Sequence, residues 1–273
     1  MYDRLVHRWL RVPYRLHADV VRNPAKPRAT LLMIHGIGNT GHAWDEVIAK
    51  LPQDVRIITI DLLGFGRSPR PNWIEYSAHE QARSVLHTYL SLGIPEQVVI
   101  VGHSLGSLIA IEIAKRYPLL VRSLVLVSPP FYRPEDPATK AVLPRPDAIL
   151  RDVYRTVQKS PEDFVRVAAI AMKYKLVNNV FNVTSDNVTS YMATLETAIV
   201  NQTSMNDIET LHMPIALVHG RLDPVVVVEN LRYLSNAMPN ITLTHVVSGH
   251  EIKNAAMIVA VVHQIELQLP HRP

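Results

Sequence analysis

Ser104 lies in Gly102-His103-Ser104-Leu105-Gly106, after the apolar run 98–101 and before a helical pattern at Leu105, Leu108, Ile109, Ile111, Glu112, Ile113 and Ala114. A serine hydroxyl is a poor nucleophile at neutral pH and needs an adjacent base to take its proton. Strand, sharp turn and helix together are the setting of a nucleophile elbow, where backbone strain lifts the hydroxyl clear of the sheet edge. The turn needs small residues on both sides, because neighbouring elements crowd it. Glycine and serine also build ordinary turns, so the pentapeptide gains meaning only beside a base, an acid and an oxyanion hole.

Thirteen histidines compete for the role of base. His250 follows the apolar run 241–247 through Ser248-Gly249, at the carboxyl end of an expected strand. His245 falls inside that strand, His263 in a helical pattern and His271 in a Pro-flanked tail. The base must be held in one tautomer by a carboxylate. Asp223 follows the run 215–219 in Gly220-Arg221-Leu222-Asp223-Pro224, and by itself reads equally as a turn-capping residue before proline. The order Ser104, Asp223, His250 is that of a Ser-Asp-His triad. An oxyanion hole requires two backbone N–H groups. Leu105, after the serine, supplies one, and Ile37 in His35-Gly36-Ile37-Gly38 supplies the other, with Gly36 and Gly38 letting the backbone approach a substrate.

A second chemistry overlaps the first. Gly36-Ile37-Gly38-Asn39-Thr40-Gly41 matches Gly-x-Gly-x-x-Gly between a strand and a helix, and Asp61 lies twenty residues beyond Gly41. That is the dinucleotide-binding fingerprint, and alone it makes a nicotinamide oxidoreductase. It leaves the elbow and the ordered Asp223 and His250 unexplained. It also follows a strand over 12–21, whereas the fingerprint usually opens its sheet. The hydrolytic reading is therefore preferred.

These residues need a scaffold. Strands are expected over 12–21, 29–35, 55–61, 98–101, 121–127, 215–219 and 241–247, and helices over 43–51, 77–92 and 105–116. Strands alternating with helices predict an α/β fold with a mostly parallel central sheet and helices on both faces. The rhythm breaks between about 131 and 212, where prolines at 129, 130, 134, 137, 144 and 146 lead into helical patterns over 148–158, 162–177 and 187–201. This predicts a core of 1–130 and 213–273 with a helical cap insertion over 131–212. Ligands of open α/β sheets bind outside the carboxyl ends of the strands, where such an insertion sits.

Composition bounds the partners. Hydrophobic residues make up 48% of the 273, enough for a large core. The net charge of +4 comes from scattered basic residues without a dense run, so no nucleic-acid partner is expected. The absence of cysteine excludes disulfides and thiolate metal sites. No window is apolar enough to span a bilayer and residues 1–10 do not read as a signal peptide, so a cytoplasmic location without stable membrane insertion is expected. Leu5, Val6, Trp9 and Leu10 beside Arg4, Arg8 and Arg11 fit either a short amphipathic membrane-surface helix or a segment packed on the domain, and the second is preferred.

With these motifs in place the chain resembles the α/β-hydrolase superfamily over nearly its whole length. The resemblance rests on His35-Gly36-Ile37-Gly38, 61–68 (Asp-Leu-Leu-Gly-Phe-Gly-Arg-Ser), the elbow, 220–224 and Gly249-His250. It implies the capped single-domain branch, with structural roles for Asp61 and Arg67 and loop-organising roles for His35 and His103. Ser104 where some relatives carry aspartate argues against dehalogenase and epoxide hydrolase chemistry. What the resemblance implies is a serine hydrolase cleaving carboxylic esters of small to medium apolar acyl groups, with no cofactor and no metal. Thioesterase, amidase and carbon–carbon bond hydrolase use the same triad, and a ligand-binding signalling protein uses the same fold. Gly36, Gly38, His103, Trp44 and Phe131 are the expected substrate contacts.

Overall fold

The computed structural model describes residues 2–132 and 186–271. Seven strands, β1 (Ala18–Arg22), β2 (Thr30–Ile34), β3 (Arg56–Ile60), β4 (Val98–His103), β5 (Val121–Val127), β6 (Ile215–Gly220) and β7 (Ile241–Val246), form one sheet. Their order is β1-β3-β2-β4-β5-β6-β7. β1 runs antiparallel to β3, and every other pairing is parallel. The central strands are near-continuous Val, Ile and Leu because both of their faces are covered.

Side chains alternate between two core layers, as the pleat requires. Leu32, Ile34, Ile58, Ile60, Ile100 and Leu126 point to one layer, closed by α1 (Ala78–Ser91), α2 (Leu105–Arg116) and α3 (Val228–Ala237). Leu31, Met33, Ile57, Val99, Val101 and Val125 point to the other, closed by the short helix Asp45–Ile48 and by α4 (Ala255–Gln268). Ser77 caps α1 by accepting the Glu80 N–H, and Asn254 caps α4 by accepting the Ala256 N–H.

Three elements differ from the sequence expectation. Strand pairing begins only at Ala18, because Leu16 N–H donates to the Thr88 hydroxyl and His17 N–H to the Ser68 hydroxyl. Those side chains satisfy the backbone where a ladder was expected. The helix expected over 43–51 is a 3-10 turn, Gly41–Trp44, followed by one α turn, Asp45–Ile48. The helix expected over 187–201 begins as Val188–Thr194 and widens to π geometry over Leu195–Val200.

Helices expected over 148–158 and 162–177 lie outside the described residues, as does most of the expected insertion. Within its described part, Tyr191, Leu195, Ala198 and Ile199 join the core layer above α2. The Ser190 hydroxyl donates to the Gly64 carbonyl at 2.9 Å. No helix among the described residues is long and apolar enough to cross a membrane.

Candidate active site

Central strand β4 delivers Ser104 to the carboxyl edge of the sheet, and α2 begins at the next residue. Ser104 has φ 51° and ψ −117°, a conformation that costs an L-residue roughly 1–3 kcal/mol. Surrounding contacts hold it there. The Ser104 N–H donates to the Val127 carbonyl at 2.9 Å, and the Ser107 hydroxyl donates to the Gly102 carbonyl at 2.9 Å. A side chain at Gly106 would drive into the Ile34 carbonyl of β2, which is why the far side of the turn admits only glycine. The strand, turn and helix expected around Ser104 are therefore present.

Leu105 is the first residue of α2, so its N–H has no intrahelical acceptor. The loop after β2 passes directly alongside. A Cβ placed on Gly36 would lie 3.2 Å from the Ser104 Cβ and 2.9 Å from the His103 Nδ1. Ile37 follows, partly buried against the core, and Gly38 turns the chain at φ 73°. The structure thus brings the 36–38 loop and the start of α2 together around one serine.

Asp223 and His250 meet on the turns after β6 and β7. Those turns are knitted by backbone bonds, Arg221 N–H to Val246 carbonyl at 2.8 Å and Leu222 N–H to Ser248 carbonyl at 3.0 Å. His250 Nδ1 lies 2.8 Å from Asp223 Oδ2, with the two side chains 3% and 0% exposed. Asp223 Oδ1 accepts the Val225 N–H at 2.8 Å. The two oxygens of Asp223 are therefore divided, one closing its own turn and the other meeting the imidazole.

Burial alone would raise the Asp223 carboxyl. The hydrogen bond and charge of His250, followed by the Val225 N–H and the nearby Ser128 hydroxyl, outweigh it and hold the carboxyl below the ordinary range. An ionised Asp223 only accepts, so the proton of this pair sits on His250 Nδ1 and leaves Nε2 as the basic nitrogen.

His35 and His103 are placed as organisers. His35 Nε2 accepts the Leu62 N–H at 2.9 Å, and its Nδ1 donates to the Gly36 carbonyl at 2.7 Å. His103 Nε2 donates to the His250 carbonyl at 2.9 Å. Burial lowers each to about 4, so both are neutral at physiological pH. His103 also borders a cavity of about 300 Å³ with Asn39, His42, Ala43, Glu251, Ile252 and Lys253.

Ser128 was missed by sequence reasoning. It follows β5 in a left-handed conformation, φ 48°, and is fully buried beside Asp223. Only its place just past a strand end, shared with Ser104 and Asp223, could have marked it.

Two of the expected substrate contacts, Trp44 and Phe131, lie within the core layers. Trp44 is 0% exposed and belongs to the core layer of Met33, Val47 and Met257, so packing against the sheet accounts for it. Phe131 is also fully buried, in the opposite layer, and its carbonyl accepts from Asn230. The dinucleotide fingerprint has a structural explanation as well. Asp61 Oδ1 accepts the Gly41 N–H at 2.8 Å and Oδ2 accepts the Arg67 N–H at 2.9 Å. The carboxylate that would bind a ribose instead fastens the glycine loop to the turn after β3.

Known proteins share this fold. A family model described as "alpha/beta hydrolase fold" matches residues 29–253. BODYGUARD 2 of Arabidopsis thaliana, named as a lysophospholipase, is 31% identical over 144 residues, covering 51% of this chain and 30% of that protein. RutD of Pseudomonas syringae pv. syringae, named as a carbamate hydrolase, is 27% identical over 239 residues, covering 82% and 87%. The chain spans less than a third of the length of the first curated relatives it matches. Among solved structures, a hydrolase from Oleispira antarctica superposes with a TM-score of 0.73 at 18% identity, covering 93% of this chain and 95% of that one.

Proposed function

The chain belongs to the alpha/beta hydrolase fold family, and on that premise we propose that it is a serine hydrolase cleaving carboxylic esters of small to medium apolar acyl groups. The observation that carries this reading is the buried 2.8 Å contact between His250 Nδ1 and Asp223 Oδ2, on the strand edge that also carries the strained Ser104. Relatives named as a lysophospholipase and a carbamate hydrolase support a hydrolytic reading here.

In the proposed reaction Ser104 Oγ attacks the ester carbonyl while His250 Nε2 takes its proton. Asp223 holds the tautomer and stabilises the imidazolium. The N–H groups of Leu105 and Ile37 receive the oxyanion. The C–O bond then breaks, His250 returns the proton to the departing alcohol, and an acyl group remains on Ser104. Water, deprotonated by His250, releases the carboxylic acid and restores the serine. Substrate reaches Ser104 past Gly36 and Gly38, beneath the proposed cap of 131–212.

The test is hydrolysis of p-nitrophenyl acetate and butyrate by the native protein and by Ser104→Ala. Loss of at least about 10⁴-fold in the variant is expected. Unchanged turnover removes the assignment. A panel that adds longer acyl chains, an amide and a thioester separates esterase from amidase and thioesterase.

A further inference from the structure

The N-terminal segment presents apolar side chains to water beside a row of arginines. Tyr2–Arg4 and Leu5–Trp9 form one helical stretch, and no residue of Leu5–Trp9 is buried. Leu5 is 50% exposed, Trp9 80% and Leu10 66%. The sequence expectation of a segment packed on the domain is met only on its inner side. There the His7 ring stacks on Tyr14 at 3.7 Å, and the Tyr14 hydroxyl donates to Asp3 at 2.8 Å. Val12 N–H donates to the Val6 carbonyl at 3.2 Å, and the Arg83 guanidinium donates to the Arg11 carbonyl. The segment is therefore fastened down with Trp9 and Leu10 left outside, where each forgoes the stabilisation of burial.

Its charge is one-sided. Arg4, Arg8, Arg11 and Arg15 are all exposed, and none pairs with an acid among the described residues. Asp3 is the sole acid before Asp19, and Tyr14 already occupies it. Aromatic and aliphatic side chains standing among arginines match the boundary of an anionic bilayer, where the rings enter the headgroup layer and the guanidinium groups meet phosphate. A symmetric contact with a second copy would instead bring like-charged arginine rows together.

We propose that residues 4–15 form a reversible docking surface for an anionic lipid bilayer, with Trp9 and Leu10 as the apolar anchors and Arg4, Arg8 and Arg11 as the phosphate contacts. The surface adjoins the loop beneath the described part of the proposed cap. Tyr14 lies 6.0 Å from the Trp73 ring, and two residues on the Glu75 carbonyl accepts from Thr197. Docking is independent of the proposed ester hydrolysis.

The full chain is mixed with vesicles of phosphatidylcholine alone or of phosphatidylcholine with phosphatidylglycerol, and sedimented at low and high salt. Binding to the anionic vesicles only, weakened by salt, is expected, with a blue shift of tryptophan emission. Trp9 is one of three tryptophans, and fully buried Trp44 gives a constant background. Trp9→Ser should remove most of the shift, Trp73 being the remaining tryptophan near the surface, and the triple variant Arg4→Gln/Arg8→Gln/Arg11→Gln should weaken binding by at least about tenfold. All substituted side chains are exposed, and circular dichroism together with p-nitrophenyl acetate turnover checks that the variants fold. The proposal is overturned by absence of anionic-vesicle binding, by equal binding of the Trp9→Ser/Leu10→Ser variant, or by a dimer in analytical ultracentrifugation that this variant dissolves. Vesicle binding without esterase activity would leave it standing and count against the hydrolase reading alone.

Discussion

His103 Nε2 donates to the backbone carbonyl of His250 at 2.9 Å across 147 residues of chain. The strand that delivers Ser104 thereby also fixes the loop that carries the proposed base. The bond needs a proton on Nε2, and burial, outweighing the pull of that bond toward the charged form, lowers the group to about 4 and keeps it neutral at physiological pH. His103 Nδ1, pressed toward Gly36, has no hydrogen-bond partner among the described residues.

Acid should therefore weaken the fold well above the carboxylate range. Both His35 and His103 lie at about 4 against an ordinary 6.5. Between those values the unfolded chain binds protons that the folded chain excludes, so stability falls as pH drops. Each histidine contributes about 1.4 kcal/mol per pH unit in that window. His103→Gln should reduce the slope by about one proton, read from urea unfolding at pH values between 4 and 6.5. An unchanged slope would show that His103 is charged in the folded chain. Asp223 acts in a lower window. Its depressed carboxyl stabilises the fold above the ordinary carboxylate range and loses that contribution as pH falls through its folded value.

Asp223→Asn separates tautomer control from packing. The amide nitrogen can donate where the carboxylate accepted, which would turn the proton of His250 onto Nε2 and leave no base toward Ser104. Turnover of p-nitrophenyl acetate should fall about 10⁴-fold with little change in far-ultraviolet circular dichroism. Asx-turn closure through Val225 survives, since the asparagine oxygen still accepts. A loss of only a few fold would remove Asp223 from the proposed triad.

The sequence was most legible where a single physical signal dominated. β5 and α2 start and end where their apolar patterns do, because a Val- and Leu-rich run and a 3.6-residue repeat have few other meanings. The order of Ser104, Asp223 and His250 was legible because each follows a recognisable strand. Contacts between distant segments were not. Nothing local marks the 147-residue link from His103 to His250, the approach of Ser128 to Asp223, or the side-chain bonds that replace strand pairing at Leu16 and His17. The burial of Trp44 was hidden for a related reason. A residue just after a glycine loop reads as pocket lining, whereas the 3-10 turn carrying it rotates the indole into the core.

Trp44 accordingly tests packing against substrate contact. Trp44→Phe should destabilise the protein by about 1–3 kcal/mol through lost core volume. The ratio of butyrate to acetate turnover should stay at its native value. A changed ratio with native stability would return Trp44 to the substrate pocket.

Asp61 decides between the two readings of the glycine loop. Its oxygens accept the Gly41 and Arg67 N–H groups, and the residue is 5% exposed. Removing the carboxylate strands two backbone donors, at about 1–3 kcal/mol each. Asp61→Ala should therefore lower stability by about 2–6 kcal/mol. A dinucleotide fingerprint makes the opposite demand, because there the carboxylate must be free to meet a ribose hydroxyl. Calorimetric titration of the native protein with NADH and NADPH should show no binding. Micromolar affinity that disappears in Asp61→Asn, an isostere that keeps one acceptor, would instead establish the loop as a nucleotide site.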